Sequence, residues 1–110
     1  MKILVTGGAR SGKTRFALAR AEALGPRRVY LATAQALDGE MQDRIRRHKA
    51  ERGVGWSTVE EPVNIAPLLE SGEVVLLDCL TLWVSNLMMA GLDDDAILAR
   101  FQELTDALAA

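Results

Sequence analysis

Residues near the start of the chain have the types and spacing needed to bind phosphate. Residues 7–14 read GGARSGKT and match G-x-x-x-x-G-K-[ST] at every fixed position. Glycines let successive backbone N–H groups turn onto phosphate oxygens, and the helix that follows adds its N-terminal dipole. The pattern predicts a nucleoside triphosphate site, whereas the alternative is an ordinary glycine-rich turn. The predicted loop consists of Gly7, Gly8, Ala9, Arg10, Ser11, Gly12, Lys13 and Thr14.

Two side chains of this loop have more specific predicted roles. Lys13 can reach the β- and γ-phosphates, and the Thr14 hydroxyl can ligate Mg²⁺. A second metal ligand is predicted at Asp78, which closes the apolar run VVLL. Four aliphatic residues followed by an acid are a weak signal alone, because many buried strands end this way. Beside a complete phosphate loop, the pattern predicts that Asp78 and Thr14 hold Mg²⁺.

His48 is the only histidine of the chain. Arg44 and Arg52 lie four residues on either side of it, on the same face of a predicted helix. Neighbouring cations favour a neutral, nucleophilic imidazole and could hold nucleotide phosphates. The alternative is a hydrogen-bonded histidine at the edge of an apolar stripe, with the arginines in solvent. Residue chemistry alone favours this alternative.

Alternating apolar runs and helical patterns must position these groups. Residues 3–5 (ILV) predict a buried strand before the loop, and Lys13–Leu24 predicts the helix after it. Residues 27–33 predict a second strand, reached by a right-handed parallel crossover. Ligands bind at the carboxyl edge of such sheets. The expected fold is therefore α/β, a three-layer P-loop NTPase-like domain with a mostly parallel sheet.

The middle of the chain predicts a second helix over residues 38–52, acidic in its first turn and basic in its last. Met41, Ile45, His48 and Arg52 recur at helical spacing and should share one face. Residues 56–61 predict an extended piece, and residues 65–70 a brief helix. Val74–Asp78 predicts a strand.

The last third of the chain predicts two helices. Residues 80–90 are apolar nearly all round, which predicts burial in the core or in a subunit interface. Residues 93–110 predict an amphipathic helix. Residues 74–92 approach the ~20 residues of a membrane span. Asp78 interrupts them at a cost of about 2.5–3.5 kcal/mol near a bilayer centre, so a strand followed by a buried helix explains them better.

Length and composition exclude several classes of protein. A chain of 110 residues with 49% hydrophobic residues is at most one domain, residues 1–110, with enough apolar side chains for a core. A net charge of −2 gives no nucleic-acid signature, and no nucleic-acid partner is expected. One cysteine excludes an internal disulfide and suits a reducing compartment, and no secretion signal precedes the glycines. We therefore expect a cytoplasmic location.

Four blocks, in order from Met1 to about Met88, together resemble one family: GGARSGKT, YLATAQALDGEM, RIRRHKAERG with TVEEP, and LLDCLTLWVSNL. The phosphate loop occurs in many families, whereas the RIRRHK and DCLTLWVSNL blocks are specific. They resemble the bifunctional adenosylcobinamide kinase / adenosylcobinamide-phosphate guanylyltransferase family of cobalamin biosynthesis. The resemblance implies two reactions. ATP or GTP phosphorylates the aminopropanol hydroxyl of adenosylcobinamide, and GMP is then transferred from GTP, through a histidine, to the new phosphate.

The resemblance also implies roles for individual residues. It makes His48 the guanylylated nucleophile and assigns catalytic roles to Lys13 and Asp78 as well. Further nucleotide contacts implied by the family are Ala32, Thr33, Ala34, Lys49, Ala50, Glu51, Arg52, Glu60 and Leu80. The implied ligands are GTP, ATP, Mg²⁺ and a corrinoid substrate, and the implied assembly is a homotrimer.

Relatives in this family continue with further strands and a segment resembling N-E-V-G-x-G-I-V-P, which this chain lacks. The resemblance therefore predicts an N-terminal portion of the family's domain, with the C-terminal strands of the sheet missing. Two alternatives stay open. One is another small-molecule P-loop kinase in which His48 is structural, and the other is a nucleotide-binding module without turnover.

Overall fold

This computed structural model describes residues 2–7, 11–35 and 37–109. The elements are α1 (Lys13–Leu24), β1 (Arg28–Ala32), α2 (Gly39–Arg52), β2 (Trp56–Glu60), a 3₁₀ helix (Ala66–Glu70), β3 (Val74–Asp78), α3 (Leu80–Met89) and α4 (Asp94–Ala109). Helix α1 and strand β3 have the predicted bounds, and the other elements from β1 to α4 begin and end within one or two residues of theirs.

The three strands form a parallel sheet in the order β2-β1-β3. The register places Ala32 of the central strand opposite both Glu60 and Asp78. All three strands therefore end at the same level, and whatever follows them lies along one edge. The predicted α/β class and parallel sheet are confirmed.

The predicted N-terminal strand is not present. Residues 2–7 have no regular secondary structure, and the side chains of Ile3 and Leu4 are 45% and 76% exposed. A strand requires a hydrogen-bonded neighbour, and the described sheet pairs its strands only with one another. Three apolar residues favour an extended backbone and a buried position, but they do not specify the neighbouring strand with which they would pair. The prediction of a buried strand at residues 3–5 is therefore wrong for this structure.

The core lies between the central strand and the C-terminal helices. Leu31 of β1 packs with Ile65, with Trp83 and Leu87 of α3, and with Leu104 of α4. The Trp83 indole N–H donates to the carbonyl of Val63 at 2.8 Å, which satisfies its only polar group. This cluster fixes the face of the sheet on which α3 and α4 lie.

The apolar stretch of residues 74–92 forms β3 and α3 rather than one continuous helix. Trp83, Asn86 and Leu87 of α3 are buried, in agreement with the burial predicted for residues 80–90. Met88 and Met89, in the last turn of α3, depart from that prediction, because each is 62% exposed. None of the helices in the described ranges combines the length and apolar character needed to cross a bilayer.

Candidate functional site

The carboxyl edge of the sheet brings together residues that are far apart in sequence. Asp78 ends β3, Glu60 ends β2, and Ala32 ends β1 between them. Backbone bonds continue past the strands, because the Thr33 N–H donates to the Asp78 carbonyl at 3.1 Å and the Glu61 N–H donates to the Ala32 carbonyl at 2.9 Å. This is the edge at which open parallel sheets bind ligands, as the sequence predicts.

The Asp78 carboxylate has a partner that sequence reasoning missed. The Tyr30 hydroxyl donates a hydrogen bond to Asp78 Oδ2, and Tyr30 is only 3% exposed. Burial, and then the adjacent carboxylate, raise the pKa of Tyr30, so the hydroxyl keeps its proton and acts as the donor. Tyr30 lies two residues before the end of β1. Only the knowledge that β3 is its neighbour would have pointed to this contact.

Arg52 is buried against the sheet rather than facing solvent. It is 7% exposed, its guanidinium lies 3.7 Å from the centre of the Tyr30 ring, and its Nη2 donates to Thr58 Oγ1 at 2.8 Å. Burial lowers the pKa of Arg52, and Tyr30, Asp78 and Glu60 oppose that shift. The alternative of solvated arginines is therefore wrong for Arg52, although Arg44 is exposed. Arg52 anchors the last turn of α2 to the sheet.

Helix α2 presents the predicted face to the protein. Met41, Ile45 and His48 are half-buried and Arg52 is buried, whereas Arg44, Arg46, Arg47, Lys49 and Ala50 are exposed. Asp38 begins the helix by accepting a hydrogen bond from the Met41 N–H at 2.7 Å. His48 thus lies one turn before the anchored Arg52, on the helix face that turns inward.

A second contact ties α2 to the edge. Lys49 Nζ lies 3.0 Å from Glu60 Oε1, and both side chains are about half exposed (48% and 52%). These two predicted nucleotide contacts are therefore partners of each other in this structure. An exposed pair of this kind contributes little stability, but it brings α2 to the end of β2. The side chain of Glu51 lies outside the described residues.

Thr33, another predicted contact, is fully buried, and its side chain bonds to the protein. Its hydroxyl donates to the Cys79 carbonyl at 2.8 Å and accepts from the Cys79 N–H at 3.0 Å. The Thr33 carbonyl accepts from the Asn86 amide at 2.8 Å, and the same amide donates to the Pro62 carbonyl at 3.0 Å. Thr33 and Asn86 thus join the segments that follow all three strands. Sequence reasoning did not identify Asn86 as part of the site. The only feature that could have indicated it is that Asn86 is a polar residue within the otherwise apolar sequence of α3.

The remaining predicted contacts at the edge border this network. Ala34 and Leu80 are half-buried, and Ala32 is 9% exposed. Leu80 begins α3 directly after Cys79, whose sulfur accepts a hydrogen bond from the Leu82 N–H at 3.5 Å.

The phosphate loop lies at the amino end of α1. Gly12 has a φ of +81°, which favours glycine, and a Cβ on Gly7 would lie 2.5 Å from Ser11 Oγ. An open cleft of about 440 Å³ is lined by Gly7, Ser11, Gly12 and Lys13, with Leu4, Val5, Thr6 and Phe16 around them. Its volume is in the range typical of small-ligand sites. Gly8, Ala9 and Arg10 lie outside the described residues.

Helix α1 differs from the other three helices at its amino end. Side chains of Asp38, Cys79 and Asp93 accept N–H bonds at the starts of α2, α3 and α4. Among the described residues, no side chain caps α1. The positive end of the helix dipole at the start of α1 favours an anion there.

The predicted metal ligands, Thr14 and Asp78, have suitable chemistry for Mg²⁺. Helix α1 carries Thr14 and packs against β3, which ends at Asp78. Hydroxyl and carboxylate oxygens suit this ion, which usually takes one or two protein groups and completes its shell with phosphates and water. Within the described ranges, no group of three or more His, Cys, Asp or Glu residues could hold a metal ion. The hydroxyl of Thr14 and the carboxylate of Asp78 are donor types that fit Mg²⁺.

Comparisons with known proteins agree with these features. A family model described as cobinamide kinase / cobinamide phosphate guanyltransferase matches residues 3–110. The chain is 50% identical over 93 residues to the bifunctional adenosylcobalamin biosynthesis protein CobP of Pseudomonas aeruginosa, an alignment that covers 81% of this chain and 54% of the relative. It is 46% identical over 95 residues to the bifunctional adenosylcobalamin biosynthesis protein CobU of Escherichia coli, covering 80% of this chain and 50% of the relative.

The chain spans about half the length of the curated relatives that it matches. The family match includes both the phosphate loop and the strand that ends at Asp78. The resemblance that the sequence blocks indicate is therefore confirmed, and the chain belongs to the cobinamide kinase / cobinamide phosphate guanyltransferase family.

Proposed function

We propose that this chain is the nucleotide-binding part of a transferase that phosphorylates adenosylcobinamide and then transfers GMP to the resulting phosphate. Besides the family membership, one observation of the structure supports the proposal. The helix with the only histidine is anchored, through Arg52 and Lys49, to strands that end at the same edge as Asp78. This anchoring of α2 supports the proposal that His48 and Asp78 serve one site.

The cleft at the start of α1 is the proposed site for the triphosphate. The amino end of α1 and the Lys13 ammonium would hold the phosphate oxygens. Thr14 and Asp78 would hold Mg²⁺, which supplies charge neutralisation of the phosphates when bound. Lys13 and Asp78 are accordingly the proposed catalytic residues of the kinase step. The aminopropanol oxygen bonds to the γ-phosphorus as the β–γ bridge breaks, the nucleoside diphosphate leaves with the bridging oxygen, and the hydroxyl proton passes to solvent.

His48 is the proposed nucleophile of the second step. The lone pair of one imidazole nitrogen attacks the α-phosphorus of GTP, so an N–P bond forms while the bond to the bridging oxygen breaks. Pyrophosphate leaves with that electron pair. An oxygen of adenosylcobinamide phosphate then attacks the same phosphorus, the N–P bond breaks, and the imidazole recovers its lone pair. Arg52 and Lys49 would hold the helix in place, and the predicted contacts of Ala32–Ala34, Lys49–Arg52, Glu60 and Leu80 would complete the nucleotide site.

The proposal includes the remaining ligands and partners. GTP and ATP are the proposed phosphoryl donors, and a corrinoid is the acceptor. A cytoplasmic homotrimer is the proposed assembly, with no nucleic-acid partner, and residues 1–110 are proposed as one nucleotide-binding unit within the family's domain.

Pyrophosphate release tests the transferase reaction. GTP and Mg²⁺ alone should give about one pyrophosphate per chain, because the histidine is consumed, and added adenosylcobinamide phosphate should make the release continuous. His48→Ala should abolish both phases. Arg46→Ala is the matched control, since Arg46 is an exposed cation of the same helix that pairs only with Asp43 in the described contacts.

The alternatives give different outcomes in this assay. Phosphoryl transfer without pyrophosphate release would indicate a plain P-loop kinase. Binding of GTP without either product would indicate a module without turnover.

A further inference from the structure

We propose that Tyr30 is a positioning residue that orients the Asp78 carboxylate and links it to the helix that carries His48. The inference rests on the proposed function for Asp78 and His48 and adds a residue to it. Its basis is a continuous set of contacts across β3, β1, β2 and α2.

Asp78 is held through both its backbone and its side chain. Its carbonyl accepts from the Thr33 N–H at 3.1 Å, and the Thr33 hydroxyl, whose proton points to the nearer Cys79 carbonyl at 2.8 Å, lies 3.3 Å away. Its Oδ2 accepts from the Tyr30 hydroxyl. A carboxylate at the end of a strand can otherwise rotate about two side-chain bonds, and the Tyr30 bond selects one orientation. Partners of this kind orient metal-binding carboxylates in proteins.

The Tyr30 ring is itself fixed on two sides. The Arg52 guanidinium covers it at 3.7 Å, and Trp56 packs edge-on against it with ring centres 6.2 Å apart. Arg52 is in turn bonded to Thr58, and Arg28 lies over the Trp56 ring at 5.4 Å. The hydroxyl therefore points to Asp78 because the ring is enclosed, and its removal would leave the ring in place.

The same contacts connect Asp78 to α2. Arg52 is the last residue of α2 and lies four positions, about one turn, after His48. A displacement of α2 would move the guanidinium off Tyr30, and a displacement of Tyr30 would release the carboxylate. Tyr30 is thus the residue through which the proposed nucleophile and the proposed metal ligand keep a fixed relation.

The test is the Mg²⁺ dependence of nucleotide binding, measured by calorimetry with a non-hydrolysable GTP analogue. The readout is the ratio of dissociation constants without and with Mg²⁺. Tyr30→Phe keeps the ring and removes the hydroxyl, so it should reduce this ratio about 10-fold. Thr105→Val, which removes an exposed hydroxyl that bonds only within α4 in the described contacts, should leave the ratio within about twofold of that of the unaltered chain. Asp78→Asn should remove most of the Mg²⁺ effect.

The outcomes separate this inference from the proposed function. A normal ratio in Tyr30→Phe together with a lost Mg²⁺ effect in Asp78→Asn would overturn the role of Tyr30 and leave the metal assignment intact. A normal ratio in Asp78→Asn would overturn both.

A second measurement needs no variant of Tyr30. Tyr30 is the only tyrosine of the chain, so fluorotyrosine labelling reports on this residue alone. Its ¹⁹F resonance should shift when Mg²⁺ is added to the analogue-bound chain, and that shift should be absent in Asp78→Asn. Mg²⁺ binding without any ¹⁹F shift would contradict the proposal.

Discussion

The amino end of α1 and the carboxyl edge of the sheet differ in how sequence relates to structure. The phosphate loop matches a general motif at every fixed position, yet its neighbours Leu4 and Phe16 are 76% and 57% exposed. The sheet edge has no general motif, but Tyr30, Thr33 and Asn86 are buried there. Tyr30 and Thr33 bond to the end of β3, and Asn86 of α3 bonds to the Thr33 carbonyl.

The two regions use different chemical groups, backbone N–H groups in the loop and packed side chains at the edge. A phosphate loop works through glycines and backbone N–H groups, which leave few side chains to pack. In α1 only Ala21 is buried. The edge instead depends on side chains that replace water as partners of buried carbonyls. Substitutions at the edge should therefore affect stability first, and substitutions in the loop should affect nucleotide affinity first.

The largest effect on stability is expected for Asn86→Ala. The variant leaves the Thr33 and Pro62 carbonyls without their amide donor in a buried site, which should lower the free energy of unfolding by about 3 kcal/mol. Urea unfolding followed by circular dichroism measures this change. Asn64→Ala is the control, because Asn64 is exposed and accepts only from Arg100, and should cost less than about 1 kcal/mol. Equal effects of the two substitutions would contradict the proposed role of Asn86.

Lys13→Ala should produce the largest change in nucleotide affinity. Loss of a charged hydrogen bond to phosphate should weaken GTP binding about 10- to 100-fold, or about 1.5–3 kcal/mol. Calorimetric titration with GTP measures this loss, and Arg15→Ala, an exposed cation two residues later, is the control. Unchanged affinity in Lys13→Ala would remove the loop from the proposed site.

A smaller effect is expected for Gly12→Ala. A φ of +81° should cost a residue with a Cβ about 1 kcal/mol, in folding or in loop conformation. Gly39→Ala is the matched control, because Gly39 begins α2 without a positive φ and has open space around it, so alanine should be neutral or stabilising by about 0.5 kcal/mol. Thermal unfolding compares the two variants, and a reversed order would show that backbone conformation at Gly12 is not limiting.

The smallest expected effect is the coupling between Lys49 and Glu60. Their half-exposed pair should contribute less than about 1 kcal/mol in a double-mutant cycle, and less again in 1 M salt, because exposed charges are screened. Unfolding of Lys49→Ala, Glu60→Ala and the double variant measures it. A coupling above about 2 kcal/mol would contradict the description of this pair as a weak, exposed contact.

Local patterns in the sequence were sufficient to predict much of the fold. The bounds of α1 and β3 and the inward face of α2 follow from helix spacing, apolar runs and end signals that involve neighbouring residues only. The strand at residues 3–5 was predicted wrongly, because its existence depends on a pairing partner that local pattern does not provide.

The candidate site was predictable only in part for the same reason. Tyr30 meets Asp78 across 48 positions and Asn86 meets Thr33 across 53. Neither contact has a signal at the residue itself. Arg52 was placed on the correct face of α2, but its burial against an aromatic ring required the sheet register. The chemistry-bearing residues could thus be proposed from their types, whereas their buried partners Tyr30 and Asn86 were found only in the structure.

The central claim, that His48 carries GMP, is tested most directly by intact-protein mass spectrometry after incubation with GTP and Mg²⁺. The account predicts a GMP-sized adduct that is labile in acid, stable in alkali and absent from His48→Ala. An adduct that persists in His48→Ala, or no adduct in a folded chain that binds GTP, would contradict it.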